Sequence, residues 1–259
     1  MAEEHGAETH GEAEHGAENH GPMHQFEIKP LIDFHVGKYD LSYTNSSLMM
    51  TFVVMLTFLL FAGATRKRTM VPSRWQSLAE ILYEFNATMV KDNIGKQGLK
   101  YLPFVFTLFL FVLLSNVLGL MPYSFTITSH IVVTASLALA IWIGATVIGF
   151  ARHGFHYFSL LLPKGTPMAV APFLVLIETM SYFIRPVSLS LRLFANMMAG
   201  HVLLKVLAGF IVTLGLLFGW IPLVAVFGIT LLEIMVALIQ AYVFALLTCI
   251  YLNDAVNLH

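Results

Sequence analysis

From Met168 to Asn253 the chain is apolar almost without a break, and a run of that length fits only one solvent. About 20 apolar residues cross the hydrocarbon layer of a bilayer, so this third alone exceeds a single crossing. In lipid, every backbone N–H and C=O must find its partner within the protein, which makes such a run helical. Two helices are expected, near 168–214 and 222–252, separated by Gly215, Gly219 and Pro222. The first is too long for one perpendicular span, so it is either strongly tilted or divided into two shorter spans. Pro186 inside it lacks an N–H and is expected to bend the helix or free a carbonyl.

The rest of the chain extends the same reading. Of its 259 residues 58% are hydrophobic and 11% charged, against about 25% charged in a soluble domain. Further spans are expected near 47–65, 102–121 and 131–150. Arg66, Lys67, Arg68 and Arg74 follow the first, and Arg152, His153, His156 and Lys164 follow the third. The loops at 122–130 and 214–220 carry no Lys or Arg. By the positive-inside rule the basic ends face the cytoplasm and the N-terminus lies on the other side. Between the first two spans, Ser73 and Gln76 have capping-box spacing. Trp75, Leu78, Leu82, Phe85 and Met89 then recur at helical intervals as far as Gly95. This predicts an amphipathic helix near 73–94 lying along the interface, with packing on another helix as the plainer alternative.

Residues 1–24 read as a disordered tail on the non-cytoplasmic side, leaving 25–259 as a single integral membrane domain. His5, His10, His15 and His20 recur every fifth residue, each followed by glycine. Imidazoles in that number could hold a zinc, copper or nickel ion weakly. A solvated tail without a scaffold to fix ligand geometry is the simpler reading, and no metal is expected. Cys249 stands alone in an apolar run, so no intrachain disulfide is expected. The acidic, polar start of the chain is unlike a cleavable signal peptide.

The last third holds few strongly polar groups: Glu178, Arg185, Arg192, Asn196, His201, Lys205, Glu233 and Gln240. Glu178, Arg185 and Arg192 are seven apart and share a helical face, with Asn196 one turn beyond. His201 falls about half a turn away in phase, and Lys205 joins it. Glu233 and Gln240 are again seven apart. A charge in mid-membrane costs roughly 2.5–3.5 kcal/mol on the most lenient scale, so such residues are functional candidates. His201 and Glu233 could pass protons, whereas a guanidinium stays charged and can only act as a fixed cation. The structural alternatives are an Arg192 paired with Glu178 or Glu233, a packed His201, and amides that bridge helices.

The stretch Arg185–His201 closely resembles the signature of subunit a of F-type ATP synthases, and Glu233–Leu252 resembles that family's last helix. The resemblance runs from about Met23 onward. It implies a stator beside a rotating ring of small hairpin subunits, held by the peripheral stalk of subunit b. Arg192 corresponds to the family's essential arginine, which faces the ring carboxylate and separates two half-channels. Asn196, His201, Glu233, Gln240 and Asn116 match the half-channel open to the proton source. Glu178 and Arg185 match positions near the cytoplasmic outlet. His201 and Glu233 stand in the arrangement of alphaproteobacterial and mitochondrial members, and Gly119 stands where some relatives have an acid. The implied location is a bacterial inner membrane, N-terminus periplasmic and C-terminus cytoplasmic. No cofactor is implied. No G-x-x-x-x-G-K-[ST] phosphate loop is present, so ATP chemistry is expected of the partner subunits. The rival expectation is a stand-alone proton or ion secondary transporter, which would call for paired internal repeats.

Overall fold

The computed structural model describes residues 30–32, 35–36, 39–40, 43–65, 73–121, 126–155, 157 and 170–257. The histidine tail, the basic run 66–68, His156, Lys164 and the expected helix start at 168 lie outside the described residues. Two short antiparallel strand pairs precede the helices. β1 (Pro30–Ile32) pairs with β4 (Tyr43–Thr44), and β2 (His35–Val36) with β3 (Tyr39–Asp40).

Six helices then account for nearly all of the described chain. Helix α1 (Asn45–Thr65) starts where the Thr44 hydroxyl accepts from the Ser47 N–H at 3.4 Å, the geometry of an N-cap. Helix α2 (Arg74–Ile94) is capped by Ser73, whose side chain accepts from the Gln76 N–H. The capping box is half made: Gln76 Nε2 turns forward to Glu80 Oε1 at 2.8 Å instead of back to Ser73. Gly95, at φ +87°, ends the helix by donating to the Lys91 carbonyl. The apolar stripe is divided between the two readings. Trp75, Leu78 and Phe85 are exposed, and burial comes from Asn86, Met89, Val90 and Ile94 in the second half.

Helices α3 (Leu102–Gly119) and α4 (Ile131–His153) are ordinary spans in length. Helix α5 (Ala171–Phe218) is continuous through Pro186, and only Gly215 departs from helical dihedrals, at φ +62°. The break thus falls at Gly215, one of the residues expected to separate the two long helices. From Ala171 to that break the axis measures about 66 Å at 1.5 Å per residue, against a hydrocarbon layer of about 30 Å. One unbroken helix rather than two spans is the outcome, and it can fit the layer only at a steep tilt. The chain turns at Gly215; Gly219, itself helical, donates to the Gly215 carbonyl at 2.9 Å, and a Cβ there would stand 2.6 Å from that oxygen. Helix α6 (Trp220–Val256) completes the hairpin. Its Pro222 sits in the first turn, where the missing N–H has no helical partner to lose. Five of the helices are long and apolar enough to cross a membrane; α2 is the exception.

Helix α6 is the hub, touching α2, α3, α4 and α5. Its inner face carries Ala237, Ala241, Ala245 and Cys249 at four-residue intervals, all buried. Small side chains in that register let neighbouring helix backbones approach closely, the main source of cohesion where lipid supplies no hydrophobic drive. Phe244 and Leu252 fill the space between, with Leu189 and Leu193 of α5 and Val105 and Val112 of α3.

Candidate proton pathway

Helix α5 has two faces with different destinies. Leu189, Ser190, Leu193, Met197 and His201 are buried inward. On the other side Ile184, Val187, Leu191 and Arg192 form an exposed stripe, which the small Ser188, Ala195 and Ala199 continue. Arg192 makes no hydrogen bond or ion pair among the described residues, so neither pairing considered for it, with Glu178 or Glu233, is formed. It and Arg185 both lie in electrostatic range of the buried Tyr251 hydroxyl on α6.

The seven-residue series on α5 does not act as one unit. Arg185 keeps its neighbour in the series and also bridges to α6: Nη1 donates to Asp254 Oδ2 at 2.9 Å, and Nη2 reaches Glu178 Oε1 at 3.4 Å. Asn196 Nδ2 donates to Gln240 Oε1 at 3.2 Å, tying the two long helices above the arginine. Gln240 is buried, and its Nε2 has no partner among the described residues.

His201 and Glu233, read as a protonatable pair, are not hydrogen-bonded to each other. His201 Nε2 stands 3.0 Å from Thr126 Oγ1, which itself lies 3.2 Å from the Gly119 carbonyl oxygen. Glu233 is buried, and neither carboxylate oxygen has a hydrogen-bond partner among the described residues. Its head occupies the space over Gly200, where an added Cβ would come within 2.9 Å of the Glu233 Cδ. Asn116 is fully buried on α3, and both its amide atoms lack a partner among the described residues, as do the hydroxyls of the adjacent Ser115 and of Thr128. A buried polar group left unpaired costs about 1–3 kcal/mol, and such groups in a native interior call for a functional reason.

Three residues were missed. Asp254 follows Glu233 and Gln240 at a multiple of seven, so the same phase argument reaches it. Gly200 lay in the quoted motif and carries chemistry only by what it lacks. Thr126 had no signal at all, being 75 positions from His201 in a polar turn. No group of three or more His, Cys, Asp or Glu residues able to hold a metal ion occurs among the described residues.

A family model described as the ATP synthase A chain matches residues 47–253, nearly the whole of this helical scaffold. The chain belongs to that family. The curated protein named ATP synthase subunit a from Rhodospirillum rubrum is 57% identical over 238 residues, covering 92% of this chain and 99% of the relative. Its counterpart in Paramagnetospirillum magneticum is 51% identical over 244 residues, with 92% and 99% covered. That of Pelagibacter ubique is 48% identical over 239 residues, with 92% and 98% covered. The ATP synthase subunit a resemblance carried by Arg185–His201 thus extends over almost the full length.

Proposed function

We propose that this chain, a proton-translocating stator subunit of an ATP synthase membrane sector, offers two offset half-channels to the carboxyl groups of a turning ring, separated by Arg192. The single observation behind the separation is the charge itself: a guanidinium on the open stripe of α5, flanked by Ser188, Ala195 and Ala199, with no ion pair among the described residues. An unpaired cation facing a membrane is costly unless an anion comes to it. The small flanking residues leave room for a partner helix to bring one close.

Protons enter from the periplasmic side through the region of Asn116, His201, Glu233, Asn196 and Gln240, whose buried polar atoms could pass them inward. A ring carboxylate that takes up a proton loses its charge, and with it most of the cost of turning into lipid. It gives the proton up near Glu178 and Arg185 on the cytoplasmic side. Arg192 then holds the ionised carboxylate and blocks a straight leak, since a fixed cation repels a proton. Each charge crossing the membrane supplies about 2.3 kcal/mol per 100 mV, so several are needed for each ATP. Helix α2 lies along the cytoplasmic interface with Trp75 and Leu78 turned to lipid. The peripheral-stalk subunit b holds the chain against the ring, and nucleotide chemistry belongs to other subunits. The location is a bacterial inner membrane with the C-terminus cytoplasmic. Family membership removes the support for a stand-alone transporter.

The test is ATP-driven proton pumping in membrane vesicles whose complex carries Arg192→Ala. Normal assembly with pumping abolished is expected. Pumping at the wild-type rate would reduce Arg192 to a packing residue and overturn the two-half-channel reading.

A further inference from the structure

Position 119 and His201 meet at Thr126, and the hydrogen-bond roles there follow from valence. Gly119 is the last residue of α3, and the terminal carbonyls of a helix have no partner within it. The Leu120 and Met121 N–H groups bond back to Asn116 and Leu118, passing over the Gly119 oxygen. That oxygen can only accept. The hydroxyl of Thr126, 3.2 Å away and fully buried, has one proton to give. Once that proton is placed on Gly119, Thr126 Oγ1 can meet His201 Nε2 at 3.0 Å only as an acceptor. That contact therefore calls for a hydrogen on Nε2.

The site is sterically set as well. A Cβ on residue 119 would lie 2.9 Å from Thr126 Cγ2 and 3.2 Å from Met197 Cε, so the threonine occupies the room that a side chain would need. The Ser129 hydroxyl donates to the Thr126 carbonyl at 2.6 Å and pins the turn that carries it.

We propose that Thr126 is a positioning residue for proton transfer: with the Gly119 carbonyl it holds neutral His201 as the Nε2–H tautomer, leaving Nδ1 as the nitrogen that takes up the passing proton. The tautomer of an imidazole is set by the partner of its other nitrogen, and a ring held in one tautomer and one orientation presents its lone pair in one direction. This rests on the reading of His201 as a proton carrier.

The experiment is passive proton flow, driven by a potassium diffusion potential, through vesicles stripped of the catalytic sector but holding the full membrane sector. Rates are normalised to assembled ring and stalk by immunoblot. Thr126→Val keeps the shape and removes the hydroxyl, and about a tenfold loss of flow is expected. Thr126→Ser keeps the hydroxyl, and recovery to within about twofold of wild type is expected. If Val blocks assembly, Thr126→Ala is measured in its place against the same expectation. Flow equal to wild type in the variant lacking the hydroxyl would overturn the proposal, and so would Ser falling as low as Val. His201→Ala separates the two levels: flow unchanged in that variant would remove the carrier reading itself, whatever Thr126 does.

Discussion

Arg185 of α5 closes on Asp254 of α6, Nη1 to Oδ2 at 2.9 Å, and so joins the two long helices at the end remote from their hairpin turn. Asp254 stands in the last turn of α6, where the helix dipole disfavours an anion. Arg185 offsets that, as do Arg152 and His153 of α4, which reach the Val256 carbonyl at 3.5 and 3.3 Å. The hairpin is thus held at both ends, by two glycines at one and by cations at the other.

Replacing Asp254 with Asn should leave the complex assembled but easier to dissociate by heat. Both side chains are about a quarter to a third exposed, which limits the pair to roughly 0.5–1 kcal/mol. A fall of a few degrees in the dissociation midpoint is expected, shrinking in high salt as screening sets in. A loss that is indifferent to salt would mean packing, not charge, holds this end.

Gly200→Ala should displace the Glu233 head, since the new methyl would claim its space. Proton flow through the membrane sector is expected to drop about tenfold at normal assembly, a barrier change of about 1.4 kcal/mol. Shortening the acid as well, in Gly200→Ala with Glu233→Asp, should restore part of the flow. A double variant no better than the single one would show that the niche does not control the carboxylate.

Tyr157 supplies a pH test outside the spans. Burial, followed by its hydrogen bond to the Tyr182 hydroxyl at 3.2 Å, raises the phenol well above its ordinary value of 10.0. The unfolded chain therefore gives up this proton first, so stability is full below about pH 10 and falls as pH climbs towards the folded value. Tyr157→Phe should flatten the alkaline fall of the dissociation midpoint above pH 10 and leave the slope below it unchanged. Parallel curves across pH 8–11 would contradict the assignment.

The helices were legible because lipid makes length and apolarity decisive: 102–121 became Leu102–Gly119 and 131–150 became Ile131–His153. Ends were less so. Helix α6 runs to Val256 rather than 252 because Arg185, Arg152 and His153 receive its last turn, partners no local pattern reveals. Helical phase grouped Glu233 with Gln240 correctly on one buried face. It also put Glu178 beside Arg185, which meet at 3.4 Å, but it could not show that Arg185 reaches across to Asp254 while Arg192 forms no ion pair among the described residues. What a glycine leaves open, as at 200, or what a distant hydroxyl fixes, as at 126, is a three-dimensional fact with no period.

The length of α5 also changes what separation means. A helix of about 66 Å confined to a layer of about 30 Å gains only about 0.7 Å of depth per residue. Arg192 and His201, about 13 Å apart along the axis, then differ by about 6 Å in depth and lie mainly side by side. A carboxyl carried past on a wheel turning about the membrane normal would meet them one after the other. Order along this helix becomes order in time.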